Sequence, residues 1–222
     1  MTPRWNVFSS SVAEKLLIAV TGLLLFLYLV VHLIGNTLLF LGPTTFNGYA
    51  HALISNPLVI PIELGLAAVF ALHIWKTVMM WWRNRQARPS GYEQKRWAGS
   101  PSRKSLASTT MIYTGLLTAV FVVLHVRAFK YGPAGEIAGR RDLYGLVIDF
   151  FRDPLHIVFY EICLVLVGFH LWHGFSSSFE SLGIDDPRYT RYVLALGKIV
   201  AILIASGFIV IPFWAFFFGG RP

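Results

Sequence analysis

The sequence predicts an all-α membrane protein, a single bundle of five transmembrane helices, and three observations favour this fold class. Of the 222 residues, 55% are hydrophobic and only 14% are charged. Five windows are each long and apolar enough to cross a bilayer, which takes about 20 residues per helix. Little sequence remains between these windows for a soluble domain. We therefore treat residues 1–222 as one transmembrane domain.

The five windows are lightly interrupted by charge and cover residues 16–41, 57–82, 105–126, 155–179 and 193–218. The first window is too long for the apolar core of a signal peptide, and no small-residue cleavage site follows it, so we expect it to be a retained span. The single cysteine, Cys163, lies in the fourth window, where we expect it to be a small buried hydrophobic residue.

Basic residues predict the orientation of the chain. The net charge is +8, but the connection of residues 83–104 holds seven Lys or Arg, whereas that of residues 42–56 holds none. Because cytoplasmic loops are enriched in Lys and Arg, we expect the N-terminus and residues 83–104 in the cytoplasm and the C-terminus outside. A basic loop at this position favours lipid headgroups or an acidic protein as its partner, not nucleic acid.

Two other connections are expected to have structure of their own. Residues 42–57, "GPTTFNGYAHALISNP", have turn residues at both ends and are long enough for a short surface helix. Residues 131–154, "YGPAGEIAGRRDLYGLVIDFFRDP", form the longest connection and are expected to cap the outer face.

Four histidines occupy matched depths, one in each of the first four windows. With a rise of about 1.5 Å per residue, His32 and His125 fall in the outer half of the membrane, and His73 and His170 in the inner half. Neutral imidazole is a ligand of haem iron, and two imidazoles on different helices can occupy its two axial positions. The pattern therefore predicts two haem groups at two levels, in which iron satisfies ring nitrogens that lipid cannot.

Other roles for these histidines remain open at this point. A histidine inside a span is often hydrogen-bonded to a neighbouring helix. A metal site made only of protein ligands would place them at one depth, usually with a carboxylate or thiolate. His173, almost one turn beyond His170, is either an alternative ligand or a hydrogen-bond donor near a haem propionate or a lipid headgroup.

Four stretches carry a resemblance to a known family. They are "SSSVAEKLLIAVTGLLLFLYLVVHLIGN" at 9–36, "FNGYAHAL" at 46–53, "LHIWK" at 72–76 and "FHLWHGFSSSFESLG" at 169–183. In these four stretches the chain resembles a family of membrane subunits, the five-helix, single-polypeptide di-haem cytochromes b of succinate:quinone oxidoreductases and fumarate reductases. The most specific match is a ligand histidine followed after three residues by glycine and then a serine-rich turn, here His170 and Gly174. The likeness covers essentially the whole chain and is weakest in residues 131–154.

This resemblance implies the cofactors, partners and location of the chain. It implies two haem b groups, the outer one bound by His32 and His125 and the inner one by His73 and His170. It further implies a flavoprotein that oxidises succinate, an iron–sulfur subunit on the cytoplasmic side, and a quinone, commonly menaquinone, in a bacterial or archaeal cytoplasmic membrane. The chain would be an electron-transfer subunit of succinate dehydrogenase or fumarate reductase, with no dicarboxylate site of its own.

Quinone reduction also needs proton donors, and the sequence offers several on either side of the membrane. Membrane-embedded acids are functional candidates by default, although each can instead pair with a basic residue or a neighbouring helix. The candidates are Glu63 and Glu161 within spans, Tyr49 and His51 in the first connection, and Ser9, Ser10, Ser11 and Lys15 at the inner end. Lys76 and Arg127 are candidates to neutralise haem propionates or to reach lipid headgroups.

Two alternatives to this function remain open from the sequence. One is the cytochrome b subunit of another respiratory oxidoreductase, such as a nitrate reductase, hydrogenase or formate dehydrogenase. The other is a haem-free transporter or scaffold whose histidines relay protons.

Overall fold

The computed structural model describes residues 10–87, 106–137, 139–184 and 186–219. About 85% of these residues are helical, which confirms the all-α prediction. The helices are α1 (Ser11–Thr37), α2 (Pro43–Ile54), α3 (Val59–Gln86), α4 (Leu106–Thr109), α5 (Met111–Phe129), α6 (Leu143–Phe150), α7 (Pro154–Ser181) and α8 (Pro187–Phe218). A 3-10 turn, Leu38–Leu41, extends α1, and the strands β1 (Glu136–Ile137) and β2 (Arg140–Arg141) form an antiparallel hairpin.

Within the described ranges, five helices are long and apolar enough to cross a membrane, namely α1 with its 3-10 extension, α3, α5, α7 and α8. Their number and order confirm the five predicted windows, and the chain is therefore a multi-pass membrane protein in its architecture. Most of these helices begin or end a few residues beyond the predicted windows, because polar residues add turns that hydropathy does not detect.

The third span differs most from its prediction, residues 105–126. A one-turn helix, α4, precedes a break at Thr110, and the long helix α5 begins only at Met111. The hydroxyls of Thr109 and Thr110 both donate to the carbonyl of Leu106, at 3.0 and 2.8 Å. Such side-chain bonds compete with the backbone ladder of a helix, and this competition explains why one window became two helices.

Helix starts follow from residues that can accept backbone hydrogen bonds. Ser10 accepts from the amide of Ala13 at the start of α1, and Asp153 accepts from Leu155 at the start of α7. Asp186 does the same at the start of α8. Each side-chain oxygen satisfies an amide that has no partner within its own helix.

The helix α2, the hairpin and α6 together cover one end of the bundle, which we call the cap end. Asn47 of α2 donates to Asp142 Oδ1 at 2.8 Å and accepts from the amide of Tyr144 at 2.8 Å, so one side chain joins α2 to the start of α6. Arg141 donates to the carbonyls of Phe129, Lys130 and Gly132, which lie at the end of α5. The helix expected in residues 42–57 is thus present as α2.

Packing is uneven among the long helices. The tightest crossing joins α7 to α8, where Gly197 lies against Ser176 and Gly168 against Ala205. A cluster of buried aliphatic and aromatic side chains continues from this crossing into the cap end. By contrast, α3 has no buried residue and packs mainly along α1.

Candidate functional site

One pair of histidines lies in direct contact on the cap-end side of the bundle. His32 of α1 and His125 of α5 have ring centroids 5.8 Å apart, with the ring planes nearly perpendicular at 88°. Tyr28 stacks on His32 at 5.5 Å, and Phe208 of α8 lies 5.8 Å from it. We call His32 and His125 the cap-side pair.

A tyrosine orients one member of this pair. The hydroxyl of Tyr160, on α7, lies 3.4 Å from His125 Nδ1. Tyr160 is itself only 4% exposed and is held edge-on by neighbouring rings such as Phe121 and Phe151. A partner at Nδ1 leaves Nε2 of the imidazole for a different bond, which is the usual arrangement of a histidine that binds a metal.

His73 of α3 is oriented in a similar way by α1. The hydroxyl of Thr21 donates to the carbonyl of Leu17 at 2.7 Å, so its oxygen accepts from His73 Nδ1 at 3.1 Å. A neutral ring that donates through Nδ1 has a bare lone pair on Nε2. A methyl group added at Gly22 would lie 3.1 Å from His73 Cε1, so the ring sits directly on this glycine.

His170 of α7 occupies a matching position on α5. A methyl group at Gly115 would lie 3.0 Å from His170 Cε1. Among the described residues, nothing forms a hydrogen bond with His170 Nδ1, although this nitrogen is buried. His170 Nδ1 would lie 3.4 Å from the same methyl group, so this nitrogen faces α5, and Nε2 is the ring nitrogen left for a different bond. We call His73 and His170 the far-side pair.

Helix geometry places the two pairs at separate levels. On α1, eleven residues separate Thr21, which contacts His73, from His32, and they span about 16 Å. On α5, ten residues separate Gly115, which contacts His170, from His125, and they span about 15 Å. Two different helices therefore give the same spacing between the far-side and the cap-side pair.

These histidines fit bis-imidazole ligation of haem better than a compact metal site. Two metal–nitrogen bonds of about 2 Å hold two ring nitrogens about 4 Å apart, and the 5.8 Å between the centroids of the cap-side pair is compatible with that spacing. The bare Nε2 of His73 suits the same role. Within the part of the chain that the structure describes, no three His, Cys, Asp or Glu side chains gather at one point.

The other predicted site residues do not form one cluster. Glu63 is paired with Lys130, both side chains being half-exposed. Glu161 has a buried Oε1 without a hydrogen-bond partner among the described residues. Tyr49 lies against Gly35 of α1, three residues beyond His32.

The remaining candidates lie at the surface or away from the histidine pairs. His51 is exposed on α2, and Ser11 and Lys15 are exposed at the opposite end of the bundle. A methyl group added at Gly174 would lie 3.4 Å from the terminal methyl of Met111, an ordinary packing distance. Ser9 and residues 88–104, which hold most of the basic loop, lie outside the described residues.

Sequence reasoning missed one buried charge cluster. Glu14 of α1 is 5% exposed, and its carboxylate pairs with Arg83 at 2.6 Å and Lys76 at 3.7 Å, both on α3. An acid in the first turn of a helix is stabilised by the helix dipole, which could have singled out Glu14. Its partners lie more than sixty residues away, and no local pattern indicates them. Lys76 is thus already paired with a carboxylate, and in its predicted role it would have to contact both Glu14 and a haem propionate.

No family model, curated protein or solved structure matches the chain. Its class therefore rests on the fold and the site alone: a multi-pass helical membrane protein that holds one pair of histidines in ring contact and two further histidines at a second level.

Proposed function

We propose that this chain is the di-haem cytochrome b membrane subunit of a succinate:quinone oxidoreductase. The observation that carries the proposal is the arrangement of four histidines from four helices at two levels about 15 Å apart, one pair of which is in ring contact. His32 and His125 would hold the outer haem, and His73 and His170 the inner one. The sequence resemblance stated above supports the same assignment.

In this role the bound haem groups would supply one-electron carriers across the membrane. The chain's own residues supply position and environment. Thr21 and Tyr160 hold imidazole Nδ1 atoms of His73 and His125, which fixes the rings. Phe121, Phe129 and other aromatic side chains surround His125 and exclude water from it.

The proposed orientation places the cap end outside and the basic loop in the cytoplasm. The loop of residues 83–104 holds seven Lys or Arg, in agreement with the rule that cytoplasmic loops are basic. An iron–sulfur subunit would dock at this side and pass on electrons that a flavoprotein takes from succinate. Electrons would reach the inner site first, then the outer site, and finally a quinone such as menaquinone.

A reduced-minus-oxidised visible spectrum of the purified complex tests this proposal. Two low-spin b-type haems per chain are the expected result. His73→Ala or His170→Ala should remove the inner haem, and His32→Ala or His125→Ala the outer one. His51→Ala is the matched control, because this histidine is exposed on the cap.

Absence of bound haem in the wild-type chain would refute the proposal and favour a haem-free transporter or scaffold. If His170→Ala kept both haems while His173→Ala lost one, the ligand assignment would be wrong. Co-purification of a flavoprotein that oxidises succinate distinguishes this complex from a nitrate reductase, hydrogenase or formate dehydrogenase.

A further inference from the structure

Two close contacts define how α7 and α8 are aligned where they cross. A methyl group added at Gly168 would lie 3.0 Å from the side chain of Ala205, and one added at Gly197 would meet the hydroxyl of Ser176. The second contact is displaced from the first by eight residues on each helix, in opposite directions. The two helices therefore keep one antiparallel register along this part of the crossing.

The same register brings an acid of α7 to a proline of α8. Seven residues, or two helical turns, lead from Gly168 toward the cap end and reach Glu161 on the same face of α7. The same step along α8 leads from Ala205 to Pro212. Glu161 and Pro212 therefore lie opposite each other, within segments that are long and apolar enough to cross a membrane.

Both residues belong to the packed part of the crossing. Pro212 is buried, and so are Ile157 and Leu164, which lie one turn on either side of Glu161. Glu161 is partly buried, and its Oε1 atom is buried without a hydrogen-bond partner among the described residues. A polar atom in such a place is costly unless it forms a hydrogen bond.

Pro212 leaves a carbonyl group of α8 without its usual partner. In a helix the carbonyl of Phe208 accepts from the amide of residue 212, but proline has no amide hydrogen. Helix carbonyls point toward the C-terminus, so this oxygen lies near the level of Pro212, where the register places Glu161. Carbonyl groups freed by proline in membrane helices are commonly satisfied by side chains or by neighbouring helices.

Two oxygen acceptors satisfy each other only if one of them carries a proton. An ionised Glu161 would place a negative charge beside the negative end of the Phe208 carbonyl dipole, in surroundings that solvate neither. A protonated carboxyl group has an O–H donor, and one hydrogen bond then satisfies the carboxyl group and the carbonyl together.

The groups around Glu161 do not favour its ionised form. No described side chain forms an ion pair with it. The part of α8 that faces it, residues 199–218, contains no titratable side chain. From α1 and α5, His32 and His125 contact each other, and His125 contacts Tyr160, which projects from α7 about 100° away from Glu161.

We infer that Glu161 is protonated and that its carboxyl O–H donates to the carbonyl of Phe208, which holds α8 against α7 and keeps Phe208 beside His32. We call this hydrogen bond the latch. The ring of Phe208 lies 5.8 Å from that of His32, and the preceding residue, Gly207, packs against Leu33 of α1. Glu161 thus acts on the cap-side pair through α8, as a positioning residue. The latch goes beyond the proposed function and does not depend on bound haem.

Infrared difference spectroscopy of the purified protein, in a detergent without ester groups, tests the protonation state. At neutral pH the wild-type chain should show the C=O stretching band of a neutral carboxylic acid, and this band should move in heavy water. Glu161→Gln should remove the band. Glu63→Gln is the matched control, because Glu63 is ion-paired with Lys130 and its loss should leave the band unchanged. A wild-type spectrum without the band, or a band that persists in Glu161→Gln, would overturn the latch.

A double-mutant cycle tests the hydrogen bond itself. Glu161→Leu removes the donor and should lower the folded-to-unfolded ratio in detergent about five- to thirtyfold. Glu161→Gln retains an N–H donor and should restore most of this loss. Pro212→Ala returns an amide hydrogen to the Phe208 carbonyl, so Glu161→Leu should then have little effect. Because leucine is itself favoured in an apolar medium, the difference between the two backgrounds decides the test. An equal effect of Glu161→Leu in both backgrounds would overturn the latch.

The spectrum of the proposed outer haem, recorded with the same variants, reports the position of Phe208. It should shift in Glu161→Leu and return in Glu161→Gln, while the inner haem spectrum stays unchanged. An unchanged outer spectrum, or a shift confined to the inner haem, would overturn the positioning role of Glu161. A chain without haem would refute the proposed cytochrome function, whereas the infrared and unfolding results would still decide whether the latch exists.

Discussion

Replacement of Thr21 by valine should selectively weaken the proposed inner haem site. The hydroxyl oxygen of Thr21 accepts from His73 Nδ1 at 3.1 Å, and valine has nearly the same shape without that oxygen. In the unloaded protein the imidazole can move its proton to Nε2. Once Nε2 binds iron, Nδ1 must keep the proton and would face a methyl group.

The expected magnitude follows from that unpaired donor. A buried N–H without an acceptor costs about 1–3 kcal/mol, and loss of the hydrogen-bond partner of a ligand histidine typically lowers metal affinity about 10- to 100-fold. Without this hydrogen bond, His73 would also donate less electron density to the iron. We therefore expect the midpoint potential of the inner haem to rise, while that of the outer haem stays constant.

Haem content per chain and redox titration of the two spectral components measure this effect. Thr118→Val is the matched control, because its hydroxyl is buried without a partner among the described residues and its loss should be neutral. Thr21→Ser retains the hydroxyl and should restore most of the affinity. Wild-type affinity and potentials in Thr21→Val would refute the idea that this threonine orients a ligand.

Three further substitutions test other parts of the structure. Gly115→Ala places a methyl group 3.0 Å from Cε1 of His170 and should reduce the inner haem band. Gly65→Ala is the control, because there is open space around Gly65, and it should leave that band unchanged. Equal spectra for the two variants would contradict the close packing at Gly115. Glu14→Gln breaks a buried ion pair and should destabilise the chain by about 1.5–3 kcal/mol in detergent unfolding, against less than about 1 kcal/mol for the half-exposed Glu63→Gln. Asn47→Ala removes two hydrogen bonds in the cap and should cost about 1–3 kcal/mol without altering the inner haem spectrum; a change in that spectrum would show that the cap and the far-side pair are coupled.

The number of spans and the levels of the histidines were predictable for a simple reason. A membrane helix is a nearly straight rod, so residue number converts directly into depth, and contact between His32 and His125 is what that conversion predicts. Helix ends were less predictable, because the start of α5 depends on hydroxyl bonds from Thr109 and Thr110 that hydropathy does not register.

The contacts between distant segments could not be predicted from the sequence. Residues of α5, α6 and α7, Tyr160 among them, line a cleft of about 710 Å³ whose shape depends on packing that no local pattern encodes. The burial of Glu14 depends likewise on Arg83 and Lys76, which reach it from another helix. The position of each histidine along its helix was local information, whereas the surroundings of each histidine were not.

The lack of buried residues on α3 has a consequence for assembly. Apolar side chains gain little by leaving lipid for one another, so a membrane helix is retained chiefly through polar and close-packed contacts. For α3 these include the ion pairs of Lys76 and Arg83 with Glu14, the ion pair of Glu63 with Lys130, and the contacts of His73 with Thr21 and Gly22. A porphyrin bonded to His73 would add the strongest tether. Newly inserted chains that fail to acquire it should therefore release this helix before any other, and expose it to membrane proteases.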